Sequence, residues 1–349
     1  CAWPARVQAG LSKLFPQSSI SLLNLARSGT TTDVILGAIA ILLRDVPGGP
    51  SQIDLIMIDT LLNDSKESKK WTNTGSLSPA TVVETSYEAL VRLLHEVAPQ
   101  ALLVPVLDAC PTCFGFASHH RAVASFYDLP LVDYASLYQR TGNKDLWNDD
   151  CGRAPHPSWQ THQILADVII GTWAKGFRDL CAGASAPKPT FPAGTLAARE
   201  LLDRFETCKA SESEYYALKE DGPQPAMVDG WRLFEDRPGK PGWISEQPGA
   251  VLKFRLSFGA MPKLLFTFLQ TYENIGSAIL EMNGLNVTVQ GLATAEKVSV
   301  SRTLWLDASN AAIYGWGPVG FALPPNSKAV MMTVTAPGAK FKIISVISC

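Results

Sequence analysis

Residues able to hold or move charge collect in three short segments of the chain. Asn24-Leu25-Ala26-Arg27-Ser28-Gly29 ends the apolar stretch Ser19–Leu25 and precedes a helical pattern. Asp59-Thr60-Leu61-Leu62-Asn63-Asp64 comes directly off a buried-strand pattern, Asp54–Asp59. His156-Pro157-Ser158-Trp159-Gln160-Thr161-His162 opens the last amphipathic run of the first half. An imidazole near its ordinary pKa can take up a proton and return it. A side-chain amide and a glycine N–H are donors that can face a developing oxyanion. Acyl transfer to or from a hydroxyl needs both kinds of group. Each segment alone also has a purely structural explanation. Gly29 would relieve a tight strand–turn–helix junction, Asn63 and Asp64 would cap the next turn, and Pro157 is well suited to a helix start, with His162 packed in that helix.

In this order, the three segments resemble the second, third and fifth sequence blocks of the SGNH (GDSL-like) hydrolases. The resemblance implies a serine ester hydrolase in which the backbone N–H of Gly29 and the side-chain amide of Asn63 form the oxyanion hole and His156 is the general base. It implies a flavodoxin-like α/β fold, a three-layer sandwich of strand order 2-1-3-4-5, and no metal or organic cofactor. The chain departs from the pattern in three places. The glycine usual two residues before the asparagine is Leu61. The aspartate usual three residues before the histidine is Arg153, so the triad acid falls to Asp149 or Asp150 on a longer loop, and Asp150 is the candidate taken here. The Gly-Asp-Ser of the first block is absent, and the helix that follows it in the family matches Trp3–Phe15. Ser28 and Ser158 belong to other elements and do not replace the nucleophile. The first strand of the sheet is therefore expected to be missing too, leaving unpaired backbone groups at about a kcal/mol or more each. A preceding segment, or something else in that slot, is expected to supply it.

The elements that must position these residues follow from hydrophobic spacing. Helical periods run through Trp3–Phe15, Thr32–Arg44, Pro79–Val97, His120–Tyr127 and Ser158–Phe177, and strand-like apolar runs through Ser19–Leu25, Asp54–Asp59, Ala101–Leu107 and Leu131–Tyr134. Alternating helices and strands predict a parallel sheet with helices on both faces. Ala182–Pro192 is rich in Ala, Pro and Ser and reads as a linker, followed by a short helix at Leu196–Phe205. From Trp231 the pattern turns to short strands split by Gly and Pro: Val251–Phe258, Lys263–Leu269, Ser277–Met282, Val298–Leu306, Ala329–Thr335 and Phe341–Val346. Trp231–Phe234 and Gly242–Ile244 flank a turn, as in a hairpin. The expected division is an α/β domain over 1–181, a linker and short helix over 182–210, and an all-β sandwich over 211–349. That organisation resembles secreted or cell-surface proteins of plants and algae.

Composition narrows the classes. With 30 Lys+Arg against 32 Asp+Glu there is no basic stripe for phosphates, which argues against nucleic-acid binding. The longest apolar runs are about half of what a membrane span needs. Seven cysteines without paired metal spacing predict two or three disulfides with one left over, in a secreted or cell-surface protein. Cys1 would pair with Cys349 or outside the chain; Cys110-Pro-Thr-Cys113 is a lone C-x-x-C. Asn286-Val287-Thr288 is a glycosylation sequon. Tryptophans 231, 243, 305 and 316, with Tyr272 and Tyr314, either fill the sandwich core or stack on sugar rings. Two readings stand: an ester hydrolase acting on acylated carbohydrate, and an inactive scaffold serving a structural or glycan-binding role with partners in an extracellular assembly.

Overall fold

A computed structural model describes residues 2–26, 29–44, 46–67, 78–108, 114–143, 146–147, 157–183, 191–205, 213–218, 221–260, 262–294, 299–306 and 323–349. Contacts gather the chain into two compact units. The first takes in Cys1–Arg27, Ile41–Lys70 and Ala80–Leu202, and the second Ser28–Ala40, Trp71–Pro79 and Asp203–Cys349.

The first unit is built on two parallel strands, β1 (Leu55–Ile58) and β2 (Leu102–Pro105), in register from Leu55↔Leu102 to Ile58↔Pro105. A parallel bridge between Val106 and Val132 extends the sheet. The unit's helices are α1 (Trp3–Leu14), α3 (Leu61–Glu67), α4 (Pro79–Val97), α5 (Ala117–Phe126), α6 (Tyr134–Thr141) and α7 (Trp159–Cys181). α1 turns Trp3, Val7 and Leu11 inward at helical spacing, into a core shared with Val104, Val106, Leu107, Leu165 and Ile169.

Among the described residues, β1 is paired along one edge only. The Leu102 N–H donates to Asp54 and the Val106 N–H to Ile58, so the even-numbered residues of β1 face β2. Leu55 and Met57 therefore aim their backbone groups the other way, where no strand pairs with them among the described residues. Leu55, Ile56 and Met57 are only half-buried, unusual for a parallel strand.

Three expectations are corrected. Ser19–Leu25 belongs to no strand among the described residues, because apolar patterning makes a strand only where a neighbour is present to pair. Leu131–Tyr134 shrinks to the single bridge at Val132, since Asp133 caps α6 by accepting from the Ser136 N–H at 2.8 Å. Asn63 and Asp64, read as possible caps of a turn, lie instead within α3.

The second unit is a β-sandwich. One sheet runs β10-β9-β12-β7-β4 and the other β11-β8-β13-β6-β5, with β3 also on β13. These are β3 (Ser213–Tyr216), β4 (Met227–Asp229), β5 (Arg232–Glu235), β6 (Pro241–Ser245), β7 (Ala250–Leu256), β8 (Leu264–Gln270), β9 (Ser277–Met282), β10 (Leu285–Gln290), β11 (Val300–Leu306), β12 (Val330–Ala336) and β13 (Phe341–Ser348). The β5–β6 hairpin forms as its flanking residues predict. Period-two burial is plain in β7, where Ala250, Leu252, Phe254 and Leu256 are buried and the residues between them are not. Those side chains meet Phe266 and Phe268 of β8 and Phe341 and Ile343 of β13 in one core.

Trp231, Trp243 and Trp305 are 5%, 3% and 1% exposed, so they fill the interior; Trp316 and Tyr314 lie outside the described residues. Helix α2 (Thr32–Arg44) also contributes. A Cβ on Gly37 would come within 2.8 Å of Leu265, so the missing side chain is what lets the helix sit directly on β8. Cys181 is a free, exposed thiol. Cys349 is disulfide-bonded; the other five cysteines lie outside the described residues, the C-x-x-C pair among them.

Candidate functional site

The carboxyl ends of β1 and β2 carry a group of enclosed polar side chains, built around the segment that bears Asn63. Asp59 follows the last residue of β1. Asp108 follows the bridge residue Val106 by two positions, and a side-chain hydrogen bond joins the two carboxyls. The indole N–H of Trp3, in the first turn of α1, donates to Asp59 Oδ2 at 3.1 Å. Burial pushes both carboxyls up. Asp108 is driven well above the carboxylate range because the negative charge of Asp59 adds to the effect. For Asp59 the bonds from Asp108 and Trp3, and the nearby His120, oppose the burial. The two carboxyls therefore share a proton and titrate as a pair. Asp108 Oδ1 is buried without a hydrogen-bond partner.

α3 begins two residues after Asp59. Leu61, Asp64 and Ser65 form its buried stripe, at the i, i+3, i+4 spacing of one helix face. Leu61, which stands where a glycine was expected, is fully buried in the core of the unit. Asn63 falls off this stripe and is half-buried. Asp64 is fully buried, and its Oδ2 lies 3.0 Å from Nε2 of His120 on α5. The His120 ring, itself 1% exposed, stacks on Tyr87 of α4 with centroids 4.0 Å apart. The Tyr87 hydroxyl is buried with no partner, and burial beside Asp64 and Asp59 pushes its pKa up. Helices α1, α4 and α5 thus each place one side chain against the segment from Asp59 to Asp64. A second imidazole–carboxylate pair, His119 Nδ1 with Glu84 at 2.8 Å, is partly open to solvent.

The other residues singled out from sequence are placed differently. Gly29 adopts φ +73°, a left-handed conformation that suits glycine. It belongs to the second unit, and its carbonyl accepts the Ser301 N–H. Asn63 belongs to the first. His156, Asp149, Asp150 and Arg153 lie outside the described residues. His162 sits in α7; burial, with Arg6 nearby, lowers its pKa, and its Nδ1 is buried without a partner, the environment of a packed neutral ring. Among the described residues no group of three or more His, Cys, Asp or Glu could hold a metal ion, and no helix is long and apolar enough to cross a membrane. Sequence reasoning passed over Trp3, Tyr87, Asp108 and His120. The available signal was an aspartate closing each apolar strand, at Asp59 and again at Asp108.

No protein-family model and no curated protein matches the chain. Solved structures do. Two crystal structures of a two-domain esterase active on acetylated mannans, one of them co-crystallised with mannopentaose, are similar at 16% and 15% identity with TM-scores of 0.61 and 0.62. Each alignment covers 99% of this chain and 84% of the esterase. At such identity the likeness is one of fold, and it extends over nearly the whole chain, the helix-and-sheet first half and the β-rich second half alike.

Proposed function

We propose that the chain is an SGNH-type ester hydrolase acting on acylated carbohydrate. The observation that carries this reading is Asn63, set in the first turn of the helix that leaves the carboxyl end of a parallel strand, where α/β sheets bind their ligands. In this reading the Asn63 amide and the Gly29 N–H stabilise the oxyanion of a tetrahedral intermediate. His156 takes the proton of a serine hydroxyl and returns it to the leaving alcohol, with Asp150 as the acid that orients the imidazole. The nucleophile is not among the residues identified. The layering is read as flavodoxin-like, and the edge of β1 left unpaired among the described residues fits the position of the family's first strand. Similarity of fold to an esterase active on acetylated mannans supports an acylated polysaccharide as substrate, and a secreted or cell-surface location suits such a substrate.

The test is labelling of the full chain with a fluorophosphonate probe, together with acetate release from acetylated mannan. Labelling that disappears in His156→Ala supports the assignment, and labelling that persists unchanged removes His156 from the mechanism. A second reading rests on Arg153, which stands where the triad acid is expected: an inactive scaffold that binds glycan in an extracellular assembly. Mannan binding without labelling or acetate release would favour it.

A further inference from the structure

The rotational setting of α3 decides where the Asn63 amide can point. Leu61, Asp64 and Ser65 make up its buried face. Leu61 is apolar and its packing has no preferred hydrogen-bond direction. Ser65 is fully buried, but its hydroxyl has no partner and holds nothing in place. The directional contact on this face is Asp64, whose carboxylate meets His120 Nε2 at 3.0 Å with both residues essentially sealed from water. A helix residue three or four positions away shares a face, whereas an adjacent one is turned by about 100°. Fixing the azimuth of Asp64 therefore fixes that of Asn63 beside it.

His120 is itself held on two sides, by its place in α5 and by the ring of Tyr87 stacked at 4.0 Å. The other end of the segment is anchored through Asp59, bonded to Trp3 and Asp108. The Asp64 N–H also donates to Thr60 O at 3.0 Å, closing the first turn. An oxyanion donor acts through preorganisation, so a small rotation of α3 lowers the rate without changing how substrate is held elsewhere.

We propose that His120 is a positioning residue for Asn63, acting through the buried carboxylate of Asp64 to set the direction in which the amide donates. The proposal rests on the hydrolase reading, and the experiment separates the two. Full-chain wild type, His120→Ala, His120→Gln and the neighbouring control His119→Ala are compared with 4-nitrophenyl acetate, after fluorophosphonate titration of active sites. Gln can still donate from its amide nitrogen to Asp64.

His120→Ala is expected to lower kcat per titrated site at least 30-fold, with KM and the pH midpoint of kcat/KM unchanged. His120→Gln is expected to recover at least tenfold of that loss, and His119→Ala to stay within twofold of wild type. A purely structural His120 would lower the number of titratable sites and the Tm but leave kcat per site intact, and that result overturns the proposal, as does a failure of Gln to rescue. If wild type shows neither labelling nor turnover, the hydrolase reading falls. Positioning is then judged from amide exchange of residues 62–65, expected to accelerate at least tenfold in His120→Ala and to be restored in His120→Gln. Exchange unchanged in the alanine variant overturns the proposal on its own.

Discussion

Glu88 offers a direct test of how the segment after Phe191 is held to the first unit. The residue is fully buried on α4. Its Oε1 accepts the Tyr127 hydroxyl at 2.6 Å and the Leu196 N–H at 2.8 Å, and its Oε2 accepts the Ala197 N–H at 2.7 Å. One turn along α4, Arg92 donates to Tyr127 and to the carbonyl of Gly194. The Phe191 ring stacks between His95 and Tyr127, with centroid distances of 3.9 and 4.5 Å. Glu88→Gln keeps the shape and removes the charge. An amide has one acceptor oxygen, so one backbone N–H must face an NH2 group, while the other two bonds fall from charge-assisted to neutral. A lost bond to a charged group costs about 1.5–3 kcal/mol, and weakening the others adds roughly 1 kcal/mol. The expected loss is about 2–4 kcal/mol in urea unfolding of the first unit, or a Tm lower by about 5–12 °C for a unit of this size. Chymotrypsin should then cut at Phe191 and Leu196 under conditions where wild type resists. A Glu88→Gln protein within about 0.5 kcal/mol of wild type, and equally resistant at those two bonds, would refute the idea that Glu88 fastens the segment.

Other outcomes follow from the same coordinates. Asp108 has a raised pKa in the folded state, so its contribution to stability is complete below the ordinary carboxylate pKa and is lost as pH rises through the raised value. Between the ordinary carboxylate pKa and the raised one, wild type should lose up to about 1.4 kcal/mol per pH unit, whereas Asp108→Asn, whose amide can still donate to Asp59, should show a flatter profile in urea titrations from pH 5 to 9; identical slopes would contradict the shared proton. Gly37→Val should cost about 1–3 kcal/mol by overpacking, since even a Cβ lies 2.8 Å from Leu265; calorimetry showing no loss would mean that α2 does not rest on β8 in solution. The Leu55 and Met57 amides should exchange at least tenfold faster than those of Ile56 and Ile58, which face β2, and equal protection across β1 would show its other edge to be covered.

Much of the fold was legible because local pattern and tertiary role agree. Pro79–Val97 shows the helical stripe that the packed helix buries, and Ala250–Leu256 shows the alternation that a sandwich strand requires. Where the partner decides, the sequence is silent. Ser19–Leu25 has strand composition without a pairing neighbour among the described residues, and α3 hides behind an Asn-Asp pair that is equally at home in a turn. Asn63 was singled out because its neighbours in the chain resemble a sequence block. Asp108 and His120 were not, since each acquires meaning from a residue far away in the chain: Asp59 across adjacent strand ends, and Asp64 across two helices. Leu61, read from sequence only as a departure from a pattern, is a core residue of the first unit.

Trp3 gives the enclosed carboxyl pair an optical gauge. Its indole N–H touches Asp59, one member of the proton-sharing pair, and the ring is buried, so bulk solvent relaxation contributes little to its surroundings. When the pair gives up its shared proton, a second negative charge appears close to an indole in a medium that screens poorly. Such a change in local field shifts the emission of the ring and its quenching. A pH-difference fluorescence spectrum, with Trp3→Phe subtracted to remove the other tryptophans, would therefore read the protonation of the strand ends directly, without a substrate, an added label or any turnover.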